Sequence, residues 1–410
     1  MKCSSGYLGS CLRTPREPLT PYLAAFECQL RTHGYAPRTV RYKVRLVRDF
    51  STWLGRRTIE IDDITREQAE SYLRYRARHQ RPRRDDHASL RQLLELLREE
   101  GIVAPQKVRQ QRTSLERLLD RYALYLREER AVAPDTVINY SRVARRFLAQ
   151  RFGEGRPNLS ALRAADVLKF IQHQVPRGSR KTAQVACTAL RSFLQFARYR
   201  GHITSDLAAG VPGIANWSMP SIPRSIAPDQ LRRVLASCNR CSAVGSRDYA
   251  ILLLLARLGL RAGAIALLEL DDIDWDSATV TVRGKGGHVH VLPLPIEVGE
   301  AIAAYLKTGR PVSTSRRVFL RAKAPVRGFK SQLAVLAVVK HALIRAGIES
   351  PSKGAHQFRH ALACEMLQQG ASLPEIGQIL DHRSSRTTEI YAKVDLASLQ
   401  TLALAWPGGV

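Results

Sequence analysis

At 410 residues the chain is too long for one ordinary hydrophobic core, so two or three domains are expected. An apolar share of 45% and a charged share of 24% describe a soluble globular protein, and no apolar run is long enough to span a bilayer. The net charge of +28 would oppose compact folding unless a polyanion takes it up, so nucleic acid is the expected partner. A membrane surface is the weaker alternative, because the basic residues are spread along the whole chain.

The seven cysteines are scattered and odd in number, and the first twenty residues mix Gly, Arg and Pro without an apolar leader segment. We therefore expect a reduced, cytoplasmic setting. Cys238 and Cys241 form one C-x-x-C pair without a second pair, so no zinc site is expected there.

The first half of the chain contains an internal repeat. Three blocks of one copy match three blocks of the next: 30–42 with 126–140, 64–73 with 162–171, and 89–102 with 189–202. The offset grows from 97 residues, at Phe50 and Phe147, to 100 residues, at Leu90 and Leu190, as small loop insertions would produce. Two copies are too few for a solenoid. We therefore predict two related helical domains in tandem, 16–105 and 112–205, after an N-terminal tail, 1–15.

Each copy is predicted to form four or five short helices. Pro37 and Pro134 suit the first turn of a helix, and Gly101 and Gly201 stand where a helix would stop. Basic side chains cluster at matching places with few acids between them, which favours contact with phosphates over an ordinary solvated face. The candidate DNA-binding residues are Arg41, Lys43, Arg45, Arg48, Arg142, Arg145, Arg146, Arg180 and Lys181.

A linker rich in Pro and Gly, 206–226, separates this half from a region of different composition, 227–395. Residues 247–260 are largely apolar and predict a buried helix. Residues 278–294 alternate apolar and polar side chains around Gly-Lys-Gly-Gly, which predicts a β-hairpin. The following segments have helical spacing again, so the fold class is mainly α with a small antiparallel sheet.

Six polar residues follow one another in the last third of the chain: Arg261, Lys285, His356, Arg359, His382 and Tyr391. They supply two guanidiniums, an ammonium, two imidazoles and a phenol that could act as a nucleophile. The set suits a phosphodiester, because cations hold its non-bridging oxygens while a neutral nucleophile attacks without a metal. A metal site at His356 and His360, four residues apart on a helix, is the competing interpretation, but HExxH and a third acidic ligand are missing.

The strings around these residues, GLR, RGKGG, HQFRH, LDH and EIYAKV, resemble the tyrosine recombinase (phage integrase) family. The resemblance implies a SAM-like core-binding domain at 112–205, preceded by a core-binding-like copy at 16–105. It also implies a mixed α/β catalytic domain at 227–395 and a tail, 396–410, that docks into a neighbouring subunit. Packing of this tail against its own domain is the alternative.

The activity that the resemblance implies is site-specific recombination of double-stranded DNA by a homotetramer on paired sites. The added N-terminal copy suggests a longer or bipartite site and favours an enzyme of a mobile element. Tyr391 would attack a scissile phosphate and form a 3′-phosphotyrosyl enzyme, while Lys285 protonates the leaving 5′ oxygen. The residues that would hold the phosphate are Arg261, His356, Arg359 and His382. No ATP, metal or other cofactor is implied. Two alternatives are a DNA-binding accessory protein that has lost catalysis and a type IB topoisomerase.

The chain departs from the family pattern at two positions. Ala264 stands three residues after Arg261, where the family usually has a supporting Glu, and Asp381 precedes His382, where the family prefers Gly. The first departure leaves open how Arg261 is held. The second would place a repulsive carboxylate beside a bound phosphate unless it points away, and both give weight to the accessory-protein alternative.

Overall fold

The computed structural model describes residues 17–104, 113–153, 155–174, 180–214, 225–284, 288–350, 354–382 and 384–394. The predicted tails 1–15 and 396–410, Lys285 and part of the predicted linker lie outside the described residues. The chain divides into two compact units, Lys107–Pro220 and a second unit that joins Met1–Gln106 with Ser221–Val410. No helix in the described part is long and apolar enough to cross a membrane.

The first helical region contains four α-helices: α1 Leu23–Thr32, α2 Pro37–Arg56, α3 Arg66–Ala77 and α4 Asp86–Glu99. Pro37 begins α2, as predicted, because its fixed φ and missing N–H suit a first turn. Thr65 begins α3 with a capping box, in which its side chain and that of Gln68 accept from each other's backbone N–H groups. The apolar faces meet in a core that includes Phe26, Phe50 and Leu93.

The second helical region repeats this order with α5 Ser114–Glu128, α6 Pro134–Phe152, α7 Ala164–Gln174 and α8 Arg180–Tyr199. Pro134 begins α6 as Pro37 begins α2, which confirms the prediction for both prolines. A short 3-10 turn precedes the third helix of each region. Phe147, the counterpart of Phe50, is buried in a core rich in aromatic side chains.

In its described residues, the C-terminal region combines eight helices with one small sheet. Its helices are α9 Pro228–Ala236, α10 Ala243–Arg257, α11 Ala262–Leu267, α12 Ile296–Ala304, α13 Gln332–Arg345, α14 His356–Gln368, α15 Leu373–Ile379 and α16 Ser385–Thr388. A π-helical turn, Tyr305–Gly309, extends α12, and a 3-10 segment, Glu389–Val394, follows α16. The apolar α10 is buried at the centre of this region, where α12, α13 and α14 pack against it.

The predicted hairpin is confirmed. Strands β1 Ile273–Asp274, β2 Thr279–Arg283 and β3 Val289–Pro293 form one antiparallel sheet in the order β1-β2-β3. Arg283 pairs with Val289 at the end of the β2–β3 ladder, so the two strands end on either side of the Gly-Lys-Gly-Gly segment. Val280 and Val282 on β2 face the core, while alternate residues point outward.

Candidate active site

Arg261 lies in the turn between α10 and α11. The helix predicted over 247–260 would end just before Arg261, but α10 already ends at Arg257, and Arg261 is the N-cap residue of α11. Gly259 makes this turn possible: its φ of +57° is left-handed, and a Cβ there would lie 2.8 Å from a Leu380 methyl group. The turn therefore brings the backbone before Arg261 close against the end of α15.

The Arg261 guanidinium is bound by Asp381, which follows α15. Nη1 donates to Oδ2 of Asp381 and Nη2 donates to its backbone carbonyl, both at 2.6 Å. The side chains are 34% and 25% exposed, so water screens this pair less than a surface ion pair. Burial raises the pKa of Asp381, but the hydrogen bond and charge of Arg261, aided by His290, outweigh burial and lower it. The carboxylate therefore points at Arg261.

Arg359, near the start of α14, is almost fully buried, with 6% of its surface exposed. Its Nη1 donates to the carbonyl of Gly259 at 2.7 Å, whereas its buried Nη2 has no hydrogen-bond partner within the described residues. Burial, and then the positive charge of Arg261, lower the pKa of Arg359 to about 10, so it is still charged at neutral pH. A charged, buried donor without a partner is suited to an anionic oxygen.

Two histidines of α14 lie on either side of Arg359 in the sequence, with ring centroids 6.0 Å apart. His356 is exposed at the start of the helix. His360 is half-buried, and its Nδ1 lies 2.9 Å from the phenol oxygen of Tyr391. Burial, followed by the charges of His356 and Arg359, lowers the pKa of His360, so its imidazole is neutral near pH 7. The set of catalytic residues predicted from the sequence omitted His360, which proves to be the direct neighbour of the predicted nucleophile.

Tyr391 lies in the 3-10 segment Glu389–Val394 and is 1% exposed. Burial raises the pKa of its phenol to about 12, although the charge of Arg359 acts in the opposite direction. The hydroxyl is therefore protonated at neutral pH. It becomes a nucleophile only when a neighbouring group takes its proton.

His382 stacks beside Tyr391, with ring centroids 6.4 Å apart and ring planes 10° from parallel. Its Nδ1 lies 2.8 Å from the hydroxyl oxygen of Thr388, at the end of α16. Gly377 allows this approach, because a Cβ there would lie 3.1 Å from the same hydroxyl. Burial, and then the charges of Arg359 and Arg261, lower the pKa of His382 to about 4, so this imidazole is also neutral near pH 7.

The base of the β2–β3 hairpin packs against Asp381. The N–H of Gly284 donates to the carbonyl of His288 at 2.7 Å and closes the hairpin below its tip. A Cβ on Gly284 would lie 2.8 Å from Oδ2 of Asp381. Nε2 of His290, on β3, lies 2.7 Å from Oδ1 of Asp381, without the alignment of a hydrogen bond. Lys285 itself lies outside the described residues, but the strand ends that carry it are at the site.

The structure brings together the described members of the predicted set, which are Arg261, His356, Arg359, His382 and Tyr391. It adds three side chains that the set omitted: His290, His360 and Thr388. His360 carried a usable signal, because a histidine beside Arg359 and one turn after His356 shares their end of the helix. His290 and Thr388 carried none, since their contacts join segments far apart in the chain.

The competing metal interpretation gains no support from the described residues. Within them, no group of three His, Cys, Asp or Glu side chains is arranged to hold a metal ion. Cys238 is buried and its thiol contacts Arg345 at 3.7 Å, whereas Cys241 is exposed.

Most of the basic residues predicted to contact nucleic acid are exposed. They are Arg41, Arg45 and Arg48 on α2, Arg142, Arg145 and Arg146 on α6, and Arg180 and Lys181 at the start of α8. Lys43 corrects the prediction, because it is only 3% exposed. Its Nζ donates to Oε1 of Gln92 at 2.6 Å and lies over the Tyr35 ring, and burial lowers its pKa. Lys43 therefore belongs to the interior of the first helical region.

Two family models match the chain. The phage integrase family matches residues 224–397, and the phage integrase N-terminal SAM-like domain matches residues 119–201. The second match covers the second helical region, and the first covers the candidate active site. A solved structure of a lambda integrase tetramer bound to a Holliday junction has a similar fold, with a TM-score of 0.52 at 18% identity over 76% of this chain and 87% of that chain.

Two relatives extend the match. The protein y4rA of Sinorhizobium fredii (strain NBRC 101917 / NGR234), whose name describes an integrase/recombinase, is 50% identical over 397 residues, which are 97% of this chain and 96% of the relative. The tyrosine recombinase XerD of Mycobacterium tuberculosis is 30% identical over 310 residues, which are 71% of this chain and 96% of the relative. With these matches, the chain belongs to the phage integrase family of tyrosine recombinases.

Proposed function

We propose that this protein is a site-specific recombinase of a mobile element, which cuts and rejoins duplex DNA through a phosphotyrosyl intermediate. One observation carries the proposal: a buried, charged donor of Arg359, without a partner in the described residues, lies near the buried phenol of Tyr391. A phosphodiester uses both groups, because its oxygens pair with a guanidinium while its phosphorus accepts a phenol oxygen.

In the proposed first step, the Tyr391 oxygen forms a bond to phosphorus and the bond to the 5′ oxygen breaks. The products are a 3′-phosphotyrosyl enzyme and a free 5′ hydroxyl. The phenol proton passes to Nδ1 of His360, 2.9 Å away, in the tautomer that leaves this nitrogen unprotonated. Lys285 supplies a proton to the leaving 5′ oxygen. The 5′ hydroxyl of another strand then reverses the step, so the bond energy is retained without ATP.

The phosphate is held by the remaining groups of the site. Arg359 donates from its unpartnered Nη2 to one non-bridging oxygen, and Arg261 pairs with the other as negative charge grows on the phosphoryl oxygens. His356, exposed at the start of α14, and His382, neutral beside Tyr391, donate hydrogen bonds to the same phosphate. In this arrangement the arginines supply positive charge, and the hydrogen bonds from the histidines orient the phosphate.

The two helical regions provide the DNA-binding surface in this proposal. Their exposed arginines and lysine lie on α2, α6 and the first turn of α8 and would contact the sugar-phosphate backbone. The proposed domains are 16–105 and 112–205 for DNA binding and 227–395 for catalysis. Recombination requires four strand cleavages, which a homotetramer on two paired sites would perform, and the cytoplasm is the proposed compartment.

The test is covalent capture of DNA. The protein is incubated with nicked suicide duplexes that tile the DNA flanking its own gene, and denaturing gels are searched for a protein–DNA adduct. Wild-type protein is expected to form the adduct and Tyr391→Phe to form none, while both bind the duplex equally. A Tyr391→Phe protein that still forms the adduct, or a wild-type protein that forms none on any tile, would contradict the proposal.

The same reagents separate the two alternatives. An accessory protein would bind a specific tile without forming an adduct. A type IB topoisomerase would relax supercoiled plasmid whether or not the site is present. Adduct formation restricted to one tile favours the recombinase, since only that enzyme needs a defined site.

A further inference from the structure

Both departures from the family pattern, Ala264 and Asp381, concern the surroundings of Arg261. Ala264 lies three residues after Arg261 on α11, on the same face of the helix, and its methyl group offers no acceptor to the guanidinium. No residue of α11 is acidic, so Arg261 receives no carboxylate from its own helix. The acceptors come from Asp381, 120 residues further along the chain.

The backbone that ends α15 does not require an Asp side chain at residue 381. Asp381 has a φ of +50°, in the left-handed region where glycine is least strained. Its backbone N–H donates to the carbonyl of Gln378 at 3.1 Å, so the backbone closes the helix whatever the side chain is. The strain of a side chain at this position is therefore offset by what the side chain contacts, which is Arg261 and the base of the hairpin.

The contact leaves Arg261 able to bind a second anion. Asp381 uses one hydrogen on each terminal nitrogen of the guanidinium, and a guanidinium carries five N–H donors in one plane. Nε–H and the outer hydrogens remain for phosphate oxygens while the pair is intact. Asp381 therefore does not have to leave when a phosphate arrives.

Asp381 also connects Arg261 to the hairpin that carries Lys285. Its Oδ1 lies 2.7 Å from His290 on β3, and its Oδ2 occupies the space that a Cβ of Gly284 would need. A single carboxylate thus contacts the turn before α11 and both strand ends of the hairpin. A shift of either segment would move the other.

We propose that Asp381 is a positioning residue that supplies the acceptor missing from α11, holds Arg261 toward the scissile phosphate, and ties it to the base of the β2–β3 hairpin. This inference rests on the proposed function, because the scissile phosphate is the ligand that Arg261 would hold.

The first test measures single-turnover cleavage of the suicide duplex at saturating protein. Asp381→Gly removes the acceptor at the least backbone strain, and the rate is expected to fall about 10–100-fold, as for a catalytic group displaced by about 1 Å. The dissociation constant of the same duplex should stay within a factor of about three, because the helical regions make most phosphate contacts. Asp381→Asn keeps one carbonyl acceptor and should lose less.

Rescue and a matched control make this test specific. Ala264→Glu, added to Asp381→Gly, places a carboxylate one turn after Arg261. The cleavage rate of this double variant should be about tenfold higher than that of Asp381→Gly, because Arg261 is held in position again. Glu297→Gln removes the carboxylate of a comparably exposed pair with Arg257, outside the site, and should leave the rate unchanged. The proposal would be overturned if Asp381→Gly cleaved as fast as the wild-type protein. It would also be overturned if Asp381→Gly cleaved faster, because that result would mean that the Asp381 carboxylate competes with the phosphate for Arg261. A third contradicting outcome is a slow Asp381→Gly variant whose cleavage rate does not increase when Ala264→Glu is added.

A second readout needs no cleavage and covers the case in which a variant folds poorly. Asp381→Asn should lower the melting temperature by about 2–4 °C in the otherwise wild-type protein, because it removes the charged acceptor of Arg261. The same change should have no effect when Arg261→Gln is present. Equal shifts in both backgrounds would overturn the pairing. If the melting temperatures show that Arg261 and Asp381 are coupled but the wild-type protein forms no DNA adduct, the proposed function has failed and the pairing stands.

Discussion

Two parts of the candidate active site are held in opposite ways. The cation group is Arg261, Arg359 and Asp381, and the tyrosine group is His360, His382, Thr388 and Tyr391. Charge-assisted hydrogen bonds of 2.6–2.7 Å fix the cation group. Hydrogen bonds of 2.8–2.9 Å between neutral groups, together with ring packing, fix the tyrosine group. Near pH 7 the first group is charged and the second is neutral.

This difference assigns separate tasks to the two groups. The cation group presents a charged donor before any DNA is bound, whereas the nucleophile is covered and protonated until a proton acceptor acts on it. Arg359 belongs to both tasks. Burial raises the pKa of Tyr391, and Arg359 is the positive charge that opposes this rise. In the proposed mechanism, phosphate binding and tyrosine activation are therefore coupled through one buried side chain.

Replacing Arg359 should have the largest effect of the single changes in the cation group. Arg359→Lys keeps a charge but loses the rigid planar fork, whose two terminal nitrogens can donate separately to the Gly259 carbonyl and to a phosphate oxygen. The single-turnover cleavage rate should fall about 10²–10³-fold, as for the loss of one preorganised donor to an oxyanion. Arg257→Lys, on the neighbouring α10, is the matched control. A loss below tenfold with an unchanged melting temperature would mean that Arg359 does not touch the phosphate.

Replacing His360 tests the tyrosine group at its proton acceptor. His360→Asn keeps a polar side chain near Tyr391 but removes the base, and the cleavage rate at pH 7.5 should fall about 10²-fold. The pKa of His360 is lowered from 6.5, so wild-type cleavage should stay level as the pH falls to 6.5 and decline only below it. In His360→Asn this acid limb should disappear, and the rate should instead rise with pH toward the pKa of Tyr391, about 12.

The control for this profile is His341→Asn, an exposed histidine of α13. It should reproduce the wild-type rate at every pH between about 5 and 8, the interval in which imidazoles titrate. A His360→Asn profile that keeps the wild-type acid limb would assign that limb to another group and remove His360 from the mechanism.

Local patterns in the sequence predicted the scaffold of the site. Alternating side chains around Gly-Lys-Gly-Gly predicted the hairpin, and Pro37 and Pro134 marked the starts of α2 and α6. The burial of Lys43 also follows a local pattern, which is the helical spacing of its apolar neighbours. Lys43 lies three residues after Val40 and four before Val47, on the face that α2 buries. In a run of basic residues on a helix, only those on the exposed face should therefore be predicted to contact phosphates.

Contacts between distant segments decide the rest of the site, and no local pattern encodes them. Asp381 meets Arg261 across 120 residues, and His360 meets Tyr391 across 31. From its sequence neighbours alone, Asp381 is predicted to be a carboxylate that repels a phosphate. The sign of its effect reverses because Gly259 lets the turn before Arg261 approach the end of α15. The chemistry of the residues was readable from their types, whereas their partners depended on packing.

The smallest expected effect concerns Thr388, which only orients another side chain. Thr388→Val keeps the shape of this buried residue and removes the hydrogen bond to Nδ1 of His382. A neutral hydrogen bond contributes about 0.5–1.5 kcal/mol net, so the cleavage rate should fall about 2–12-fold. Thr387→Val, its exposed neighbour, is the control and should leave the rate unchanged.

A double-mutant cycle separates orientation from a general loss of stability. If Thr388 acts by orienting His382, Thr388→Val should have no further effect on the rate once His382→Asn is present. An additive loss would show that Thr388 acts elsewhere, for example through its packing on Gly377. A loss as large as that of Arg359→Lys would remove the contrast between the two groups, because a neutral contact would then be as critical as the charged ones. The expected order, Arg359 above His360 above Thr388, follows from charge: groups that meet the phosphate or the moving proton should matter more than groups that only orient them.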